Sequence, residues 1–174
     1  MPHPLPETPR LRLRELHDGD APFLLELLND PDFIANIADR GVRSEDDARA
    51  YLATGPAASY AKHGYGLWAV EMKPGGELAG MCGLVRRDFL EHADLGYAFL
   101  PAWRGRGLAA EAARATLAHA FGPLGMPRLL AIVNEGNLAS RRLLESLGMH
   151  SQGLQPVGGQ ALVVYGIDNP AGGA

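Results

Sequence analysis

Between residues 103 and 109 the chain reads Trp103-Arg104-Gly105-Arg106-Gly107-Leu108-Ala109, where a strand hands over to a helix. Glycine lets a backbone approach a ligand closely, N–H groups at a helix start point outward, and the helix dipole favours negative charge. This is chemistry for a phosphate, and Arg104 or Arg106 could add a charge-assisted hydrogen bond of about 1.5–3 kcal/mol. Each helix-end contact adds only ~0.3–1 kcal/mol. Micromolar affinity needs about 8 kcal/mol, so the ligand must offer more than phosphate. Two other readings stay open. The glycines could simply permit tight packing of strand on helix. Alternatively, Gly105, Gly107 and Ala110 keep the GxGxxA spacing of a dinucleotide site, with Glu135 near the end of the next strand as its ribose acid. That fingerprint normally opens an alternating β-α-β series. Here it follows a hairpin region and leaves too little chain for two mononucleotide-binding halves.

The remaining reactive side chains read differently. Cys82 lies in a short apolar run and reads as a small buried residue, while His119 sits in an alanine-rich helix far from the glycines and reads as structural. With one cysteine and no CxxC or HExxH pattern, neither an intrachain disulfide nor a metal site is expected.

The elements that must hold the loop follow from periodicity and punctuation. Leu11, Leu13 and Leu16 alternate with Arg10, Arg12 and Arg14, which predicts a half-buried strand with arginines outward. A helix capped by Asp20 carries Phe23, Leu24, Leu27 and Leu28 and stops before Asp30-Pro31. A second starts at a Ser44/Asp47 capping box and ends at Gly55-Pro56. Residues 66–72 and 78–86 predict a hairpin, and residues 94–100 a strand ended by Pro101. Then come a helix over 108–121, a buried strand over 128–133, a helix over 137–147 with Gly148 at its C′ position, and a hairpin of strands 150–157 and 160–167 turning at Gly158-Gly159. The order is β-α-α-β-β-β-α-β-α-β-β, a mixed α/β domain over residues 8–168 with one parallel crossover at 94–133 and antiparallel hairpins elsewhere. Residues 1–7, rich in proline, and 169–174 are expected to be loose.

Composition narrows the function classes. The 174 residues are 47% hydrophobic and 21% charged, which suits one folded domain. A net charge of −4 gives no pull toward nucleic acid or anionic membranes. Neither a secretion signal nor a membrane-spanning run is visible, so a soluble cytoplasmic protein is expected.

Arg104-Gly105-Arg106-Gly107-Leu108-Ala109 resembles the R/Q-x-x-G-x-G/A signature of the GNAT N-acetyltransferase superfamily. Asn134 through Met149 is similar to the second acetyl-CoA segment of that superfamily's RimJ/RimL-like branch, and Thr8 through Arg14 with Asn29-Asp30-Pro31 resembles the branch's opening. The resemblance covers residues 8–167. It implies a twisted mixed sheet in which strands 94–100 and 129–133 run parallel and splay apart to admit acetyl-CoA. The pyrophosphate would meet backbone N–H groups of Arg104, Gly105, Arg106, Gly107, Leu108 and Ala109. The pantetheine arm would pair with backbone at Phe99 and Leu100, and Asn137 would reach the same arm. From the residues alone, Asn137 also reads as the cap of its helix.

Acetyl transfer to an amine needs a neutral nucleophile, a polarised thioester carbonyl and a proton for the departing thiolate. Many members of the superfamily place a tyrosine donor seven residues after the position of Asn137, and here that residue is Leu144. The resemblance instead points to Ser140, which also fits a plain polar residue of the first helical turn. Asp94 matches a position where some relatives carry a glutamate base, with Glu91 and His92 as nearby substitutes, and it also reads as an exposed carboxylate at a strand end. The implied activity is N-acetylation of a primary amine by direct attack in a ternary complex, without a metal. The acceptor is a protein N-terminus or a small molecule, since the branch includes enzymes for protein N-termini, amino acids, polyamines and antibiotics. A non-catalytic acyl-CoA sensor or scaffold is the competing reading, and a homodimer is one open arrangement.

Overall fold

The computed structural model describes residues 3–171. Strand β1 (Leu11–Arg14) turns its leucines inward and pairs antiparallel with β2 (Leu67–Met72). Between them lie four helices, α1 (Ala21–Leu28), α2 (Pro31–Asn36), α3 (Glu45–Thr54) and α4 (Pro56–His63), where the sequence predicts two. The difference arises at Asp30-Pro31 and Gly55-Pro56. Proline ends the helix before it, yet its fixed φ and missing N–H suit the first turn of the next one. Asp30 completes the second start, its carboxylate accepting from Phe33 N at 3.2 Å.

Ser44 caps α3 through a bond from Asp47 N, but the Asp47 carboxylate accepts from Arg43 N rather than closing a box with Ser44. Asp20 stands at the N-cap of α1 without capping it. Its oxygens are taken by Arg14, at 2.9 Å to each, and by His17 N, because a bidentate guanidinium outcompetes a neutral amide.

Next come β3 (Leu78–Val85), β4 (Asp94–Phe99), α5 (Leu108–Phe121), β5 (Arg128–Val133), α6 (Leu138–Ser146), β6 (His150–Val157) and β7 (Gln160–Asp168). The seven strands form one sheet in the order β1-β2-β3-β4-β5-β7-β6. Its one parallel pair among the described residues is β4–β5, which removes the doubly wound dinucleotide fold from consideration. The pairing beyond the crossover corrects the expectation of hairpins alone. After α6 the chain descends at the sheet edge as β6, and β7 returns into the slot beside β5. Gly158 and Gly159, at φ 56° and 84°, make the turn, both in the left-handed region that a type I′ hairpin needs.

Side chains alternate across the sheet and feed two cores. Trp68, Val70, Cys82, Leu95 and Phe99 pack with α5 and α6 on one face. Ala69, Met81 and Leu100 pack on the other with Leu24, Leu27 and Leu28 of α1 and with Phe33 of α2. Burial of each such leucine is worth about 1.5–3 kcal/mol, so β4 is clamped between helices on both faces.

Contacts continue past residues 8–168. Leu13 N donates to Pro6 O, and the Asn169 amide donates to the carbonyls of Phe121 and Met126. Of the two segments expected to be loose, residues 1–2 and 172–174 lie outside the described residues. Among the described residues no helix is long and apolar enough to cross a membrane.

Candidate active site

Parallel strands β4 and β5 meet at one registered pair, Asp94 opposite Leu130, and then diverge. Leu100 N donates to Ala79 O, so antiparallel alternation turns the backbone groups of Phe99 and Tyr97 away from β3 and toward the gap. Of the two residues expected to offer backbone to a ligand arm, Phe99 therefore faces the gap. Leu100 spends its N–H on β3 and its side chain in the core.

The gap opens into a cleft of about 760 Å³. Its walls include Asp94, Tyr97, Phe99, Arg104 and Ala109 on one side and Asn134, Asn137 and Ser140 on the other, with α2 and Tyr51 across one end.

The glycine loop has the form a phosphate cradle needs. Gly105 and Gly107 have φ of 73° and 75°, and Gly107 stands at the N-cap of α5, where no side chain caps the helix. The first N–H groups of a 14-residue helix are thus left to a ligand. The loop is braced from β1: Arg10 Nη1 donates to Arg106 O at 2.9 Å, while Arg10 Nε and the Thr8 hydroxyl donate to the Glu111 carboxylate. Burial works to raise that carboxyl, and these donors hold it below the usual range. Arg106 lies 4.9 Å from the centre of the Trp103 ring and is exposed.

Arg104 is engaged within the chain on three sides. Its Nε donates to Phe99 O at 3.0 Å, Nη1 to Asp32 at 2.7 Å and Nη2 to Asp30 at 2.5 Å. Two of these are bonds to carboxylates, so its Nε and both Nη groups are engaged within the chain. Arg104 fastens α2 to the end of β4. The far end of α2 is held by Asn134, whose Nδ2 donates to Asn36 O at 2.9 Å.

Asn137 is the N-cap of α6, its Oδ1 accepting from Ser140 N at 3.3 Å, which leaves the Nδ2 donors for the cleft. Ser140 Oγ shares a hydrogen bond of 2.5 Å with the Tyr97 hydroxyl. Burial pushes the Tyr97 phenol up to about 12 against the pull of Ser140, so it stays protonated across the physiological range. Leu144, at the position where many relatives carry tyrosine, is buried in the core. The other nearby phenol, Tyr165, is committed to Glu145 at 2.8 Å and to Arg141 at 3.1 Å.

Sequence reasoning missed Tyr97, which lies 43 residues from Ser140. The available signal was its parity in the strand, shared with Leu95 and Phe99 and opposite to Asp94.

Asp94 is 1% exposed and accepts from Arg87 Nε at 2.8 Å through Oδ2. Burial pushes its carboxyl upward, and Arg87 pulls the other way. Glu91 and His92 border a separate hollow with Arg128. His119 packs at the edge of the Trp68 ring, and Cys82 is buried against Thr116 Oγ1 with its thiol pushed up to about 12 by burial.

A profile of the Acetyltransferase (GNAT) domain matches residues 10–150. The chain is 34% identical over 146 residues to an uncharacterized protein of Bacillus subtilis, YkkB, covering 82% of this chain and 83% of that one. It is 29% identical to the uncharacterized N-acetyltransferase YoaA of the same bacterium, over 87% of this chain and 85% of the relative. The crystal structure of an acetyltransferase from Agrobacterium tumefaciens superposes with a TM-score of 0.81 at 26% identity, over 95% of this chain and 94% of that one. A match of this breadth, on a sheet that opens at the expected pair of strands, leaves one assignment: the chain belongs to the GNAT acetyltransferase family, in its RimJ/RimL-like branch.

Proposed function

We propose that this acetyl-CoA-dependent N-acetyltransferase acts by direct attack of a primary amine in a ternary complex, with Asp94 as base and Ser140, backed by Tyr97, as proton donor. The observation that carries the reading is the placement of Asp94 and the Ser140–Tyr97 pair on one cleft, where β4 leaves β5. Bound acetyl-CoA supplies the activated acetyl group. The N–H groups at the start of α5 and the exposed Arg106 suit its pyrophosphate, and the Phe99 backbone and Asn137 Nδ2 suit its amide-bearing arm.

The chain's own residues then handle protons. An alkylamine arrives protonated at neutral pH, and Arg87 occupies only Oδ2 of Asp94, leaving Oδ1 to take that proton. A carboxyl raised by burial is a stronger base than an exposed one. Ser140 Oγ holds a proton for the sulfur as it leaves and is resupplied from the phenol behind it, and the second proton, shed by the attacking nitrogen as the amide forms, returns through solvent to the phenol. Direct transfer uses no acyl-enzyme, in keeping with a Cys82 thiol held protonated in the core.

Thermal unfolding with and without CoA tests binding, and release of free thiol over a panel of amines tests transfer. CoA at 100 times its Kd should add about 2.7 kcal/mol of stability, whereas NADH should add none. A shift with CoA but no turnover of any amine would favour the sensor reading.

A further inference from the structure

Tyr51, Arg40, Arg87 and Phe89 line the cleft together with Asp94, which Arg87 contacts directly. Three aspartates line the cleft, and two of them, Asp30 and Asp32, are committed to Arg104. Asp94 holds Arg87 through Nε alone, so both Nη groups of Arg87 keep their donors without a side-chain partner among the described residues. Arg40 is exposed and has no ion-pair partner among the described residues. Arg40, Tyr51 and Arg87 line the same cleft, and Arg87 reaches its Asp94.

We propose, resting on the acetyl-transfer reading above, that the acceptor is a small primary amine carrying its own carboxylate or equivalent oxyanion, held by Arg87 and Arg40. The distance between its two groups follows from the site. Arg87 is hydrogen-bonded to Asp94, so an anion on its Nη groups lies within a few bonds of an amine on Oδ1, as in an amino acid. A guanidinium offers a fork of N–H donors that matches a carboxylate. A polyamine would bring further cations against Arg40 and Arg87, where the one lining acid not held by Arg104 is Asp94, itself paired with Arg87. A peptide N-terminus with neutral side chains would leave both guanidiniums unanswered.

The test compares leucine, leucinamide and isopentylamine as acceptors, with spermidine and a neutral dipeptide amide as contrasts. The acid should exceed its amide in kcat/KM by about 10- to 100-fold, the range expected of one charge-assisted bond. Arg40→Gln should remove most of that preference while kcat for isopentylamine stays the same, and Arg40→Glu should favour spermidine. Calorimetric titration with N-acetylleucine and its amide gives a readout that needs no turnover. Tighter binding of the acid, lost in Arg40→Gln, supports the anion site even if every amine in the panel fails as a substrate. Equal kcat/KM for acid and amide, a preference for spermidine or the dipeptide in the parent, or acid binding unaffected by Arg40→Gln would overturn the proposal while leaving acetyl transfer intact.

Discussion

The hydroxyl of Tyr97 on β4 lies 2.5 Å from Oγ of Ser140 on α6, joining the two walls of the cleft across the gap between β4 and β5. A phenol thus stands behind the serine in a protein whose usual tyrosine position holds a buried leucine. The pair can act as a relay in which the serine meets the substrate and the tyrosine restores its proton.

Ser140→Ala should lower kcat by about 10²–10⁴-fold with little change in KM for acetyl-CoA, since proton donation matters as the thiolate leaves. Tyr97→Phe should also lower kcat, and the double variant should be no slower than the slower single one, because two members of one relay are not additive. Kinetics of the four proteins decide this, and losses that multiply would separate the two groups into independent roles.

Gly107 tests the phosphate cradle. At φ 75° any side chain is strained by roughly 1–2 kcal/mol, although a Cβ would meet only Arg10 Nη2, at an ordinary 3.5 Å. Gly107→Ala is therefore a gentler probe than valine. The loop either keeps its shape and the protein loses that stability, or it relaxes and CoA binding weakens by about 5- to 30-fold. Measuring Tm and CoA affinity together closes the account, and an alanine variant unchanged in both would show that neither the fold nor the ligand needs this backbone.

Much of this arrangement is local in sequence and was legible there. Helix α5 ends at Gly122-Pro123, α6 begins at an asparagine cap and ends at Gly148, and the Asn137-to-Ser140 spacing is a helix-start pattern read from four residues. What was not legible depends on distant partners. Arg104 matched a cofactor signature, but its guanidinium goes to Asp30 and Asp32, more than 70 residues away. Tyr97 was placed correctly in a strand, yet its partner became visible only once α6 was folded against β4. The missed helices α2 and α4 have a different cause: one proline both stops a helix and starts the next, and a reading from stop signals sees only the first.

Asp20 should account for part of the protein's acid sensitivity. It is 4% exposed, and although burial raises its carboxyl, Arg14 and His17 N outweigh burial and hold it below the usual range. A carboxyl depressed in the folded state contributes stability above its unfolded value near 4, and that contribution fades as pH falls through the folded value. Asp20→Asn should cost about 3 kcal/mol at pH 7, the lower end for breaking a buried pair, since Glu71 still holds Arg14. The difference from the parent should shrink below about pH 4. Urea unfolding at several pH values would show this, and a constant difference across that range would assign the loss to packing instead.

Asp94 makes the sharpest kinetic prediction, because burial and Arg87 act on it in opposite directions. Burial wins, so its carboxyl titrates above the ordinary 3.8 and the acid limb of kcat/KM should be displaced upward with it. Only the ionised form can take the ammonium proton. Activity should therefore fall as pH drops through that raised value and level off above it. Asp94→Asn should lose most activity at low pH and recover part of it as pH climbs toward the pKa of the amine, where free amine no longer needs deprotonation. The same substitution removes the negative charge that Arg87 answers, so a carboxylate-bearing acceptor should keep or improve its KM while kcat falls. A uniform loss at every pH would make Asp94 a positioning group for Arg87 and the substrate. Superimposable profiles for variant and parent would remove it from the proton path and leave water held by backbone carbonyls in the gap as the base.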